Sequence, residues 1–435
     1  MRMRQRPIFG KKSVKKFRKT LETILERHSQ SNSWSNSSTP RTPRTPKTPR
    51  TPRTPRTPRS SIIKSIMPFV DKRFYNSMQN MEERIDKIRN LLHTTNLLVE
   101  PQDKADWLEQ TSTFTRVNEQ EGSFAEIYMG SFVLQKKTIP CVLKKLNTHK
   151  YIESEITNYV FAQQLCPNGI CNIVNVYIPD DNDERIQILM YNCGKTIKTI
   201  KEEFGLKDIR REWMINICLW GLDLCKILEC VHSNNMAYLD LRPENIVIHN
   251  KKAKLIDFGL SRFGKEPEQH VAGSACYLPP EMSLYGECHF INSDIFSFGV
   301  LLYHLLLPYK MDPATSKPLA PPVLGSSLLR ETIDYTLSKI NKDWQSFVAD
   351  SSGVFYKAYN NISYFDILLY KKWITERTYT ILTTGTHRRI FLLLHRMTLI
   401  NSILRPSIPI IKIELEEIGY ALGDGFTKEY KIGWN

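Results

Sequence analysis

The segment Tyr238-Leu-Asp-Leu-Arg-Pro-Glu-Asn245, followed twelve residues later by Asp257-Phe-Gly259, restricts the fold more than any other part of this 435-residue chain. Between the two motifs, Ile246-Val-Ile248, a turn at His249-Asn-Lys-Lys252 and Ala253-Lys-Leu-Ile256 read as two short strands joined by a tight connection. Such a hairpin folds Asp257 back beside Asn245. Two oxygen ligands side by side suit a hard cation such as Mg²⁺, which prefers carboxylate, amide and phosphate oxygens. Asp240, five residues before Asn245 on the same loop, is then free to face an incoming hydroxyl.

Further landmarks follow in a fixed order. Ile227-Leu-Glu-Cys-Val-His-Ser-Asn-Asn-Met236 reads as the end of a long helix and a turn. Downstream lie Gly273-Ser-Ala-Cys-Tyr-Leu-Pro-Pro-Glu281, Ser293-Asp-Ile-Phe-Ser-Phe-Gly299 and Leu404-Arg-Pro-Ser407. As a set these resemble the eukaryotic-type protein kinases: catalytic loop, metal loop, the motif that closes the activation segment, a buried helix anchoring the catalytic loop through Asp294, and an Arg pairing with Glu281. The resemblance covers about residues 114–425. It implies an α+β, two-lobed fold, with a small β-rich lobe over 114–193 carrying one main helix and a larger, mostly helical lobe over 194–425. It also implies ATP and Mg²⁺ as cofactors, with Asn245 and Asp257 as metal ligands.

The nucleotide site can be placed residue by residue on that resemblance. Gln120-Glu-Gly-Ser-Phe-Ala-Glu-Ile-Tyr128 resembles the glycine-rich phosphate cover, with only Gly122 kept as glycine and Gln120 and Ala125 in the other two positions. Ser123 and Ile127 belong to the same cover. Val142-Leu-Lys-Lys-Leu146 resembles the strand that bears the phosphate-binding lysine. Strand alternation puts Lys144 and Lys145 on opposite faces, so one points into the cleft; family spacing favours Lys144 and leaves Lys145 as the competitor. On a helix expected over His149–Leu165, Glu155 is the partner for that lysine, with Glu153 as runner-up. Ile188-Leu-Met-Tyr-Asn-Cys-Gly194 resembles the hinge, where adenine meets the backbone of Tyr191–Cys193 and Met190 limits the back of the pocket.

Departures from the family carry information too. Leu239 and Tyr238 stand where the family usually has Arg and His before the catalytic Asp. Without that Arg no cation waits for a phosphate on the activation segment, so activity is expected not to need one. Ser261→Ala is the substitution expected to leave activity intact on this reasoning. Arg242 replaces a Lys that resembles a Ser/Thr-kinase mark, keeping the charge over the γ-phosphate while widening the hydrogen-bonding fork. With Pro243 and Ser274 it favours Ser/Thr acceptors on protein substrates. Asp240, Lys144 and Arg242 form the catalytic set. Two other functions compete: a pseudokinase or scaffold whose eroded glycine loop no longer supports turnover, and a nucleic-acid-binding protein acting through its tail.

Charge separates that tail from the rest. Residues 1–60 hold 17 Lys/Arg against two Glu and so carry the whole formal charge of +15, leaving the remainder neutral. From Thr39 to Arg59 run seven Thr-Pro-Arg/Lys triplets, whose prolines exclude helix and sheet and favour an extended, disordered segment. Ser13–Arg27 reads as a basic amphipathic helix suited to an acidic partner, nucleic acid or nuclear import. Each Thr-Pro step is a candidate for a proline-directed kinase, whose phosphates would cancel the basic charge.

Residues 61–113 read as a helical linker or docking segment whose contact surface is not readable, with Met78–Leu92 periodic. An insertion lies within 308–404, rich in aromatics at Trp344, Phe347, Tyr356, Tyr359, Tyr364, Phe365 and Tyr370, and 426–435 form a C-terminal tail. Nine cysteines in odd number, without CxxC pairs or a secretory leader, point to free thiols in a reducing, intracellular compartment, cytoplasmic or nuclear. No apolar run is long enough to span a bilayer; Phe298–Leu307 comes nearest. The divergent loop, missing Arg and biased tail are similar to kinases of large DNA viruses such as herpesviruses, which would place the protein in a host nucleus. Oligomeric state is not readable.

Overall fold

The computed structural model describes residues 81–117, 125–146, 152–179, 185–205, 210–264, 268–269, 272–307, 362–374 and 387–427, with positions 322, 328, 331, 332, 382 and 430. The basic tail, Gln120, Gly122, Ser123, Trp344, Phe347, Tyr356 and Tyr359 lie outside the described residues.

The first helix, α1 (Met81–Thr94), carries an apolar stripe, Ile85, Ile88, Leu91 and Leu92, at the three- and four-residue spacing of one helical face. Ile88, Leu91 and Leu92 are buried, and burying each contributes roughly 1.5–3 kcal/mol. After α1 the chain runs extended: Val99 N donates to Val176 O at 3.0 Å and Leu97 O accepts from Val176 N at 2.7 Å. A short helix, α2 (Lys104–Ser112), follows. Its Trp107 packs against Phe132 and Tyr177, with ring centroids 5.5 and 6.1 Å away. Residues 81–112 are thus packed into the small lobe.

A five-stranded sheet has the order β1 (Thr115–Arg116), β2 (Ala125–Leu134), β3 (Lys137–Leu146), β5 (Gln187–Tyr191), β4 (Ile173–Tyr177). The β2–β3 turn at Gln135 and Lys136 takes positive φ at both residues, the twist-matched form of a two-residue hairpin. Between β3 and β4 lies α3 (Ile152–Leu165), which starts with Glu153 and Glu155 in its first turn, where carboxylates meet the positive end of the helix dipole.

The larger region begins with β6 (Lys195–Thr196) and α4 (Ile197–Phe204), whose Thr196 side chain accepts from Thr199 N and whose end is set by left-handed Gly205. The long α5 (Arg211–His232) and β7 (Met236–Ala237) precede β8 (Ile246–His249) and β9 (Lys252–Leu255). Asn250 and Lys251 close the β8–β9 hairpin with positive φ. Then come β10 (Arg262–Phe263), β11 (Glu268–Gln269), α6 (Pro280–Tyr285), β12 (Glu287–Cys288) and α7 (Ile291–Leu306). From Ser293 onward every residue of α7 is buried, which makes it the axis of this lobe rather than a surface helix. Ser363 and Asp366 form a capping box on α8 (Tyr364–Tyr370), and Phe365 meets Phe391 of α9 (His387–Met397) edge-on at 4.4 Å. The last helix, α10 (Ile408–Ala421), packs along α5. The architecture is the expected α+β arrangement of a β-rich part and a helical part.

The cysteines differ from expectation. Cys166–Cys230 and Cys171–Cys193 are disulfide-bonded, with Cα atoms 6.4 and 6.1 Å apart, and Cys141, Cys218, Cys225, Cys276 and Cys288 are free. These pairs are 64 and 22 residues apart in sequence, so their meeting depends on how α3 packs against α5 and on how the chain leaves β5. No helix among the described residues is long and apolar enough to cross a membrane.

Candidate active site

The loop between β7 and β8 is held from below by one buried carboxylate. Asp294 of α7 accepts Tyr238 N on Oδ2 and Leu239 N on Oδ1, both at 2.7 Å. Leu239 adopts a left-handed conformation, φ 67°, which aims both N–H groups at the same carboxylate; a bulky residue takes that shape only where its surroundings compel it. His232, at the end of α5, sets Nε2 2.8 Å from Asp294 Oδ2. Sequence reading did not single out His232. Its only signal was that a buried Asp in the first turn of an apolar helix needs polar partners, and a helix-end imidazole is one.

Above that anchor, the loop side chains form a closed set. Asn245 Nδ2 donates to Asp240 O at 3.0 Å and to Asp240 Oδ2 at 2.6 Å. Ser274 donates its hydroxyl to Asp240 Oδ1 at 2.9 Å. Gly273 makes this approach possible: at φ 119° it runs so close to the loop that a Cβ there would sit 2.7 Å from Leu239 O. Arg242 Nε lies 3.5 Å from Asp240 Oδ2.

The β8–β9 hairpin returns the chain to this loop, where Ile256 N donates to Asn245 O at 3.0 Å. Asp257 follows with φ 65°, and its Oδ1 accepts Gly259 N at 3.2 Å. Lys144 Nζ pairs with Asp257 Oδ2 at 3.1 Å and with Glu155 Oε1. Of the two lysines that sequence left open, Lys144 is the one in this triad; Lys145 lies over the Tyr128 ring, 4.7 Å from its centroid. Glu153 faces outward to Arg84, 3.8 Å away. Phe258 is fully buried, its ring 5.1 Å from both Tyr159 and Tyr238.

Register sets which side chains of the sheet share a face with Lys144. Ala125, Ile127 and Met129 oppose Leu146, Lys144 and Val142 across β2–β3, and Lys144 and Val142 oppose Ile188 and Met190 across β3–β5. Directly paired residues share a face, so Ala125, Ile127, Val142, Lys144 and Met190 lie on one side of the sheet. Tyr191 falls on the opposite face, and its side chain is exposed. The N–H groups of Tyr191 and Asn192 already donate to Asn172 O and Pro140 O. Cys193 is buried and bonded to Cys171, and its neighbour Gly194 turns with φ 101° against Ile248 O.

Electrostatics differ among the carboxylates. Burial raises Asp240 above its ordinary value and Asp257 adds to that, while Arg242, Ser274 and Asn245 pull it down without cancelling the rise. Burial also acts on Asp257, but Lys144 and the Gly259 N–H outweigh it and hold this carboxyl low. Desolvation opposes the charge on Lys144, yet Asp257 and Glu155 together raise its pKa, so the ammonium persists.

Among the described residues no group of three His, Cys, Asp or Glu side chains could hold a metal. Asn245 and Asp257 nevertheless present a donor set that suits a hard cation: the Asn245 amide nitrogen is spent on Asp240, which leaves Oδ1 as its acceptor atom, and the Asp257 carboxyl is held low. Two protein oxygens with further phosphate and water oxygens is the manner in which Mg²⁺ is commonly bound.

The Ser261 expectation needs correction. Ser261 is fully buried and donates its hydroxyl to Tyr238 O at 3.1 Å, so Ser261→Ala would disturb the loop directly and cannot serve as a neutral probe of phosphorylation.

Arg405 clamps Glu281 through two bonds of 2.7 Å, Nη1 to Oε1 and Nη2 to Oε2. The same guanidinium donates to Leu399 O and Asn292 O, and both side chains are buried.

Residues 121–320 match the family model for the protein kinase domain. That stretch, a little under half of the chain, is similar to the protein kinase domain. The chain is 27% identical over 210 residues to a probable serine/threonine-protein kinase of Clostridium acetobutylicum, covering 44% of this chain and 31% of that protein. A probable serine/threonine-protein kinase of Dictyostelium discoideum is 34% identical over 129 residues, 29% of this chain and 19% of that one. The Wee1-like protein kinase of Arabidopsis thaliana is 31% identical over 165 residues, 37% of this chain and 32% of that one. The chain thus spans about a third or less of the length of these relatives. They come from a bacterium, a slime mould and a plant, and lend no support to a viral source.

Proposed function

We propose that this chain is a serine/threonine-protein kinase that transfers the γ-phosphoryl group of Mg²⁺-ATP to protein hydroxyls. The observation that carries the reading is the Lys144 ammonium held between Glu155 and Asp257, across the cleft from the Asp240–Asn245 loop. In this reading Lys144 binds the α- and β-phosphates, and Glu155 holds it in place. Gln120, Gly122, Ser123, Ala125 and Ile127 cover the triphosphate, Val142 and Met190 enclose the adenine, and the hinge Tyr191–Cys193 meets it through backbone. Asn245 and Asp257 hold Mg²⁺, which would neutralise phosphate charge. Asp240 orients the acceptor hydroxyl and accepts its proton, Arg242 meets the γ-phosphate, and Ser274 keeps the Asp240 carboxylate turned toward the acceptor. Little covalent help is required, since positioning and charge neutralisation supply most of the barrier reduction. The Ser/Thr preference rests on Arg242 and Ser274 and on the names of the relatives. The kinase domain extends over 114–425 here, and the basic residues 1–60 serve targeting.

Incubation of the full chain with Mg²⁺-ATP and a mixture of protein substrates should yield phosphoserine and phosphothreonine, detected by mass spectrometry, and chelation of the metal should stop it. No phosphate transfer with Mg²⁺ or Mn²⁺ would sink the reading in favour of a scaffold.

The pH dependence has a defined sign. Asp240 must be ionised to accept a proton and its pKa is raised, so kcat falls on acidification at a higher pH than an ordinary Asp would give. Ser274→Ala removes a donor that favours the ionised form. The acid limb of kcat against pH should therefore move to higher pH; an unmoved limb would mean that the hydroxyl is not felt by the base.

A further inference from the structure

We propose that Met81–Val99 is a positioning element built into the chain, holding α3 where Glu155 reaches Lys144, so that the helix needs no separate activating partner on that face. The consequence for turnover rests on the kinase reading above; the geometry does not.

Helix α3 has two working sides. Its inner side carries Glu155, paired with Lys144, and Asn158, whose Nδ2 donates to Phe258 O at 3.2 Å and Ser261 O at 3.0 Å. Tyr159 adds an edge-on contact to Phe258. Any outward shift of α3 would therefore break the Lys144 pair and loosen the Asp257-Phe258-Gly259 turn together. The C-terminal end of the helix is tied to α5 by the Cys166–Cys230 bond. The end that bears Glu155 is gripped from outside by α1, which packs along α3.

Two kinds of contact make that grip. Ile88, Leu91 and Leu92 are buried in the same apolar cluster as Ile152, Ile156 and Val160 of α3. Arg84 reaches Glu153, two residues from Glu155. Independently of α3, α1 is fastened to the sheet: the strap at Leu97–Val99 pairs with Val176 on the edge strand β4. The sheet carries Lys144 and α3 carries Glu155. A body bound to both sets the separation between the two, and α1 is that body.

The test uses the full chain. Leu91→Asp places a carboxylate in the buried stripe and should release α1. Hydrogen exchange of the Ile152–Leu165 amides should then quicken on the order of tenfold or more, with the β2–β3 hairpin unaffected. Phosphate transfer should fall by about tenfold in kcat, and a synthetic peptide of residues 81–99 added in trans should restore both readouts in part. Arg84→Glu and Glu153→Arg should each lower kcat about two- to threefold, with the double exchange recovering it. Unchanged α3 exchange in Leu91→Asp overturns the proposal. So does a charge series in which neither reversal quickens α3 exchange, and that series decides the matter if Leu91→Asp fails to fold. If the unmodified chain transfers no phosphate, the kinase reading falls alone, because hydrogen exchange needs no turnover.

Discussion

Asp240→Asn should abolish phosphoryl transfer while leaving the fold and nucleotide binding close to those of the unmodified chain. The substitution keeps the shape of the side chain, and its amide can still meet the Ser274 hydroxyl and the Asn245 side chain that now surround the carboxylate. What it removes is the group proposed to take the acceptor's proton. Loss of a positioned general base lowers the rate by about 10²–10⁴-fold. The check is a comparison of kcat and of nucleotide affinity, the latter by calorimetric titration with Mg²⁺-ATP. A variant that transfers phosphate at an undiminished rate would remove Asp240 from the catalytic set.

Arg405→Leu should be the most damaging substitution outside the cleft. It would leave Glu281 buried with, among the described residues, only the Ser293 hydroxyl, 3.2 Å from Oε1, as a side-chain donor. Breaking a buried ion pair from one side costs about 3–5 kcal/mol. The pH dependence follows from the sign of the shift. Burial acts to raise Glu281, but Arg405 outweighs it and holds the carboxyl below its ordinary value, so the pair stabilises above the unfolded pKa and that contribution is lost as pH falls. Without Arg405 burial is opposed only by weaker influences, the Glu281 backbone N–H and His289 among them, and Glu281 takes up a proton more readily. The stability gap between variant and unmodified chain should therefore narrow from pH 7 to pH 5 in denaturant melts. Glu281→Leu combined with Arg405→Leu should recover much of the loss; equal losses in the single and double variants would show that shape, and not the stranded charge, sets the cost.

The parts of this fold legible in sequence are those fixed by short-range pattern. Alternation from Ile246 to Ile256 around a four-residue turn led to the hairpin now seen as Ile246–His249 and Lys252–Leu255. Alternation also separated Lys144 from Lys145, though it could not say which faced the cleft. What was illegible depends on distant packing. The apolar stripe of α1 shows that one face is buried, but no property of that stripe names α3 as its cover. His232 lies 62 residues from Asp294. Whether two cysteines meet is decided by tertiary geometry, which is why an odd count and the lack of CxxC spacing led to an expectation of free thiols that two bonded pairs overturn. The phosphate cover stays outside this comparison at Gln120, Gly122 and Ser123, which lie outside the described residues.

The two tyrosine rings around Phe258 have a bearing on inhibitor design. A flat heteroaromatic compound entering beside Met190 would leave those edge-on contacts alone. A longer compound that had to displace Phe258 would need to separate it from Tyr159 and Tyr238 at once, and each such aromatic contact adds about 0.5–1.5 kcal/mol beyond buried area. Compounds of the second kind should show slow-onset inhibition, and truncating Tyr159 to Leu should shorten the lag.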